Sequence, residues 1–216
     1  MRVRAGLQAL DLGIPPGYPD YVLHQMVTVM RGGEEVKLSK RTGTSVTIRE
    51  LVEEVGRDAF RFLFLLRKHD SQLTFDIDLA RTQSDENPVY YVQYAHARIA
   101  SLRRKAGETR VEAALGAVDG GSDPDQALDP AERALINKLV AFPGEVEEAA
   151  VRRAPHRLAV YALELAQEFT AFYRDCRVVG AEPEAVESFR LALSAAAQRT
   201  IARALDLLGV TAPDEM

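Results

Sequence analysis

Apolar residues recur at steps of three and four along most of the second half of the chain. From Pro88 this repeat predicts a long helix. The same period continues through later stretches that are separated by prolines. The pattern therefore predicts a bundle of about five helices. The buried face of the first helix is expected to carry Val92, Ala95, Ile99, Leu102 and Ala106.

Prolines and one glycine mark the expected helix boundaries. Asp129 is a candidate N-cap, because a proline follows it at the first helical position. Pro143 is expected to interrupt that helix and to start a new one. Pro155 and Pro183 are expected to start the last two helices, and Gly209 to end the final one. Residues 107–128 are rich in Gly, Ala, Asp and Glu and are interpreted as a flexible surface loop.

The first part of the chain is more mixed. Residues 2–10 have the pattern of a helix, and residues 27–30 that of a strand followed by a turn. Thr47 and Glu50 form a capping-box pattern that starts a helix ending at Gly56. Residues 58–68 predict a second helix that is apolar nearly all round and therefore buried. Residues 75–79 alternate, but their aspartates favour an extended connector over a core strand.

Composition narrows the class of protein. The chain has 216 residues, 47% of them hydrophobic and 27% charged, as is ordinary for a globular protein. The sequence contains neither a run of about 18 apolar residues nor a signal-peptide pattern. The single cysteine, Cys176, is expected to be a packed thiol, and it fits a cytoplasmic location.

The charge of the chain does not exclude an RNA-binding surface. The net charge of −5 argues against nonspecific coating of nucleic acid. Local basic clusters are compatible either with a specific RNA surface or with solvated helix faces. These clusters are Lys37, Lys40 and Arg41; Arg98, Arg103, Arg104 and Lys105; and Arg152, Arg153 and Arg157.

The segment Lys37-Leu38-Ser39-Lys40 suggests polyphosphate chemistry. It follows the predicted strand and turn and precedes a helix start. Two ammonium groups on flexible stems, three residues apart, suit a polyphosphate, and backbone N–H groups near a helix start add donors. Surface lysines often have this spacing, so the four residues alone decide little.

Three longer blocks carry a family resemblance. Residues 24–43 closely resemble the signature-loop region of class I arginyl-tRNA synthetases, with Leu38 where the loop most often has Met. Residues 84–99 resemble the first helix of that family's anticodon-binding domain, and residues 204–216 resemble its C-terminus. The resemblance covers nearly the whole chain. It implies a mainly α protein, in which a remnant of a class I nucleotide-binding α/β domain precedes an all-α anticodon-binding helical bundle.

The resemblance also implies domain boundaries. Residues 1–45 would be the remnant of the catalytic domain with its signature loop, 46–83 a helical connector of the stem-contact type, and 84–216 the bundle. The family's first signature, His-x-Gly-His, does not occur in this sequence. We therefore expect the chain to be the C-terminal part of a longer monomeric arginine–tRNA ligase and to be inactive by itself. The alternative is a stand-alone, noncatalytic tRNA-binding module.

The resemblance assigns roles to individual residues. Lys37 and Lys40 would stabilise charge on the ATP phosphates as pyrophosphate leaves, with Leu38 and Ser39 completing the loop. His24 and Gln25 would lie near ATP or serve structure. Mg²⁺ would accompany ATP, held largely by ATP and water, so no metal-binding residues are expected in the chain. The partners would be ATP, arginine and the anticodon stem-loop of arginine tRNA. The implied tRNA contacts are Tyr94, Tyr173, Arg177 and Met216, with Gln93 and His96 as weaker candidates and core packing as the alternative for any tyrosine.

Overall fold

The computed structural model describes residues 2–36, 46–119 and 128–216. The signature-loop residues assigned above, Lys37, Leu38, Ser39 and Lys40, lie outside these ranges, as does the centre of the predicted surface loop, residues 120–127. The first part of the chain contains short elements in mixed order. They are α1 (Arg2–Ala9), β1 (Val27–Arg31), β2 (Glu34–Glu35), α2 (Ile48–Val55), α3 (Arg57–Leu65), β3 (Leu73–Asp76) and α4 (Ile77–Arg81).

The three strands form a small sheet in the order β2-β1-β3. β1 pairs with β2 in antiparallel fashion and with β3 in parallel, where Val29 lies opposite Phe75. Phe75 is only 1% exposed. The prediction that residues 75–79 form a connector was therefore wrong: burial of Phe75 and pairing with β1 outweigh the polar neighbours, and Ile77 already starts α4.

Both predicted helices of the connector are present. The capping box of α2 is confirmed, because Thr47 accepts from the Glu50 N–H and the Glu50 carboxylate accepts from the Thr47 N–H. α3 is shorter than expected and ends at Leu65, but Phe62 and Leu63 are buried as predicted. They join one continuous core that extends from the sheet through the connector into the bundle.

The bundle consists of long helices that pack side by side. Within the described residues 84–119 and 128–216 there are five, the number expected, although two of the predicted boundaries were wrong. The closest neighbours are α7 with α8, α6 with α9, and α8 with α9. The helices are α5 (Pro88–Ala106), α6 (Glu108–Asp119), α7 (Pro130–Val151), α8 (His156–Asp175) and α9 (Glu184–Leu208).

The first wrong boundary concerns residues 107–128. Residues 108–119 are helical, not loop, because α6 buries Val111 and Ala114 against α9. Arg110 adds an ion pair with Glu187 of α9. Small apolar side chains on one face thus stabilise a helix in a stretch whose composition suggests a loop.

The second wrong boundary concerns Pro143. α7 continues through it from Pro130 to Val151. Proline removes one backbone donor from a helix interior, but packing of α7 on α8 compensates for this loss. The ring centres of Phe142 and Tyr161 are 5.2 Å apart, and the Tyr161 hydroxyl donates to the Lys138 carbonyl at 2.8 Å, five residues before the proline.

Candidate nucleic-acid interface

Two exposed tyrosines and one arginine form a compact group on the bundle surface. The guanidinium carbon of Arg98 lies 4.7 Å from the ring centre of Tyr94 and 5.4 Å from that of Tyr173. Arg98 Nη2 also donates to the Tyr94 hydroxyl at 3.0 Å. The two tyrosines are 41% and 42% exposed. One cation thus holds two aromatic rings beside each other while leaving much of both rings open to a ligand.

The helix period explains why these side chains point outward. α5 buries Val92, Ala95 and Ile99, so Tyr94 and Arg98, four residues apart, share a different face. The two other tyrosines at the start of α5 have different environments. Tyr91 is partly buried and its hydroxyl donates to Thr170 of α8 at 3.2 Å, whereas the Tyr90 ring stacks 6.1 Å from that of Tyr94.

The start of α5 is fixed by Asn87, which is 3% exposed. Its amide nitrogen donates to the carbonyls of Ala80 and Thr82, and its side-chain oxygen accepts from the Val89 N–H. This N-cap ties the connector to the bundle and sets the direction in which α5 leaves it.

α8 supplies the second ring. Phe169 and Phe172 are fully buried, and Tyr173 follows them on the outer side, 5.9 Å from Phe169. Because Tyr94 and Tyr173 come from two helices packed on the same core, the distance between the two rings is set by helix packing.

The two rings line a pocket of about 520 Å³. Its cationic walls are Arg98, Arg104 and Lys105, and its acidic side is Asp214 and Glu215. Arg104 is engaged on that acidic side, 3.7 Å from the Glu215 carboxylate. The pocket therefore combines aromatic faces with three cationic side chains on a protein whose net charge is negative.

Residues 210–216, here called the 210–216 segment, close one side of this pocket. Gln93 Nε2 donates to the Thr211 carbonyl at 3.0 Å. His96 is 5% exposed, and its Nδ1 lies 2.9 Å from the Pro213 carbonyl, so that nitrogen carries the proton. After a bend at Asp214, Met216 lines both this pocket and a neighbouring groove of about 720 Å³ between the connector and α5.

The structure thus brings together some of the predicted tRNA contacts. Tyr94, Tyr173 and Met216 line one pocket. Gln93 and His96 lie beside it, where their polar atoms hold the 210–216 segment. Arg177 is exposed but lies elsewhere, and its Nε donates to the Val179 carbonyl at 3.3 Å. Sequence reasoning missed Arg98 as the partner of both rings, although its spacing of four from Tyr94 was a signal.

The predicted ATP neighbours lie in the first part of the chain. The His24 ring is 5.7 Å from that of His69, and the Gln25 N–H donates to the His69 carbonyl at 2.9 Å. Both residues line a pocket of about 300 Å³ that also includes His156. Burial lowers the pKa of His156, and the nearby positive charge of Lys68 lowers it further.

Other candidate chemistry is limited. Cys176 is 2% exposed and burial raises its pKa to about 11, which confirms the prediction of a packed thiol. Among residues 2–36, 46–119 and 128–216, no group of three or more His, Cys, Asp or Glu side chains is placed to hold a metal ion. In the same ranges, no helix is both long and apolar enough to cross a membrane.

Comparison with known proteins agrees with this geometry. Arginine–tRNA ligases of Geotalea daltonii and Geobacter metallireducens are 54% and 53% identical over all of this chain, which spans 38% of their length. A solved structure from Campylobacter jejuni superimposes with a TM-score of 0.76 at 32% identity, covering 90% of this chain and 40% of that one. Thermus thermophilus arginyl-tRNA synthetase superimposes with a TM-score of 0.67 at 30% identity, covering 88% of this chain and 34% of that one.

These matches confirm the resemblance to arginyl-tRNA synthetases and the mainly helical fold. The family model of the DALR anticodon binding domain matches residues 92–216, which include Tyr94, Arg98, Tyr173 and the 210–216 segment. This chain belongs to the DALR anticodon-binding domain family.

Proposed function

We propose that this chain is the anticodon-binding part of an arginine–tRNA ligase, and that its RNA ligand is the anticodon stem-loop of arginine tRNA. The observation that carries the proposal is the pairing of Tyr94 and Tyr173 across Arg98 within an anticodon-binding family. The names of the relatives favour a ligase over a stand-alone tRNA-binding module.

The pocket has the chemistry that unpaired bases require. Single-stranded loop bases are recognised by stacking on aromatic rings and by hydrogen bonds to their exposed edges. Tyr94 and Tyr173 offer the stacking faces, and Met216 offers an adjacent apolar surface. Arg98 and Lys105 offer positive charge for the phosphates that flank a splayed base.

The remaining predicted tRNA contacts, Gln93, His96 and Arg177, have different roles in this proposal. Gln93 and His96 act by holding the 210–216 segment, because their polar atoms already bond to it. Arg177 is a predicted RNA contact outside the pocket.

We further propose that the complete protein attaches arginine to its tRNA in the cytoplasm, using ATP with Mg²⁺. Lys37 and Lys40, with Leu38 and Ser39 between them, would contact the ATP phosphates. In the sequence the loop follows the β1–β2 hairpin, and His24 and Gln25 precede β1. Charge that grows on the phosphates as pyrophosphate leaves gives the two lysines their role.

Titration of the chain with a labelled arginine anticodon stem-loop tests the proposal. The matched control is a stem-loop of equal length with a different anticodon, because nonspecific phosphate binding affects both alike. We expect tighter binding of the arginine stem-loop and an affinity that falls as salt rises. Equal affinity for the two stem-loops would overturn the proposed function.

A further inference from the structure

A carboxylate of the connector, Asp58, is bonded to the 210–216 segment that closes one side of the pocket of Tyr94 and Tyr173. Asp58 Oδ2, in the first turn of α3, accepts from the Thr211 N–H at 3.1 Å and from the Thr211 hydroxyl. It also accepts from Gln93 Nε2 at 3.0 Å. A single oxygen thus joins α3, α5 and the 210–216 segment.

The same bonds fix the position of Thr211, near the start of the 210–216 segment. Gln93 bridges Asp58 and the Thr211 carbonyl, so both backbone polar groups of Thr211 are fixed. Two residues on, the Pro213 carbonyl meets His96, and after the bend Met216 returns to the pocket of Tyr94 and Tyr173. Met216 is itself 54% exposed, so its position depends on how the residues before it are held.

α3 makes a second bond at the point where the segment leaves α9. Arg61 Nε, one turn after Asp58, donates to the Leu208 carbonyl. Gly209 then turns the chain with a φ of +68°. α3 therefore holds the chain on both sides of Gly209, at Leu208 through Arg61 and at Thr211 through Asp58.

We infer that Asp58 is a positioning residue for the anticodon pocket: it acts through Thr211 and Gln93 to hold Met216 beside the two tyrosines. This inference rests on the proposed function. Asp58 does not line the pocket of Tyr94 and Tyr173, so it would lower the cost of binding by ordering a wall of that pocket in advance.

The charge of Asp58 makes the inference easy to separate from simple electrostatics. RNA is a polyanion, so removing a carboxylate near it should tighten binding if only charge matters. A positioning role predicts the opposite sign. Glu53 of α2 is a suitable control, because it is an exposed carboxylate of the same connector.

The first experiment measures stem-loop affinity. Asp58→Ala should bind about tenfold more weakly, as expected from the loss of charge-assisted hydrogen bonds, while Asp58→Asn, which keeps an acceptor, should lose less. Glu53→Ala should bind equally well or more tightly. In a chain that ends at Pro213, Asp58→Ala should cause no further loss of affinity, because Met216, the residue that Asp58 positions, is already absent. Equal losses with and without residues 214–216 would overturn the inference.

The second experiment needs no RNA. The chain has four methionines, so labelling their methyl groups with carbon-13 gives a simple NMR spectrum. The Met216 signal, assigned with Met216→Leu, should be shifted by the neighbouring rings in the wild type. It should move to the free-methionine position in Asp58→Ala and stay in place in Glu53→Ala.

An unchanged Met216 signal in Asp58→Ala would overturn the inference even if RNA binding changed. Failure of the wild type to bind the stem-loop would instead refute the proposed function, and the methionine signal would still decide whether Asp58 holds the segment.

Discussion

Glu132 and Arg190 form an ion pair inside the bundle, with Arg190 Nε 2.6 Å from Glu132 Oε1. Glu132 is fully buried, and the Arg190 side chain is only 16% exposed. The other oxygen of Glu132 accepts from the Asp129 N–H at 2.7 Å and so completes the capping box of α7. One carboxylate therefore both starts α7 and joins it to α9.

Replacing Glu132 with Ala should strongly destabilise the protein. Removing one partner of a buried pair leaves the other charge uncompensated, at a cost of roughly 3–5 kcal/mol in free energy of unfolding. Glu164→Ala is the control, because its pair with Lys138 is half exposed and should be worth less than about 1 kcal/mol. Urea unfolding measures both. Similar losses for the two variants would contradict this account.

Tyr94→Ala and Tyr173→Ala should weaken stem-loop binding without unfolding the protein. Each lost stacking face should cost roughly 1–3 kcal/mol in binding free energy, while exposure of both rings predicts little change in melting temperature. Tyr21→Ala is a matched control, because Tyr21 is also exposed and lies 5.2 Å from an arginine, Arg4. Normal binding combined with a much lower melting temperature would identify the two tyrosines as core residues.

Two glycine-to-alanine changes should have opposite effects. Gly209 has a φ of +68°, and an added Cβ would lie 2.6 Å from Arg61 Nε, so Gly209→Ala should destabilise by more than about 1 kcal/mol. Gly144 lies within α7 and nothing lies within 4 Å of an added Cβ. Gly144→Ala should therefore stabilise by about 0.5–1 kcal/mol. Thermal melts test both signs, and a neutral Gly209→Ala would contradict the strained close approach.

Glu187 should make stability depend on pH in the acid range. The Gly180 N–H donates to Glu187 at 2.6 Å and, together with Arg110 of α6, keeps the pKa of this carboxyl below its usual value. The folded state therefore favours the ionised form. Its stabilisation is present above the unfolded pKa of about 4.3 and is lost as the pH falls through the lower folded pKa.

Glu187→Gln should accordingly lower the melting temperature at neutral pH, and the difference from wild type should shrink towards about pH 3. Glu184→Gln, at an exposed site in the same first turn of α9, should show little difference at either pH. A gap between Glu187→Gln and wild type that stays constant with pH would refute the ionic role.

The sequence was most informative where local signals and packing agree. The capping box of Thr47 and Glu50 and the proline after Asn87 both mark real helix starts, because each local bond also points an apolar face towards the core. At Pro143 and in residues 108–119, packing decided against the local signal. Neither the contact of α6 with α9 nor that of α7 with α8 can be read from one stretch of sequence.

The candidate site divides in the same way. The resemblance singled out Tyr94, Tyr173 and Met216, which the fold brings to one pocket. It gave Gln93 and His96 possible RNA roles, but not their bonds to the 210–216 segment, because those bonds join residues 118 and 117 positions apart. Asp58 carried no sequence signal at all, since an aspartate in the first turn of a helix is commonplace.

The two bonds of α3 also bear on the order in which the protein folds. They join residues 147 and 153 positions apart, so they close loops that contain the whole bundle. Contacts between residues so distant in sequence form after local helix pairs have met. Attachment of the connector is therefore expected to come late in folding. Loss of this attachment would remove one wall of the pocket of Tyr94 and Tyr173 while the helices that carry the two tyrosines stay folded.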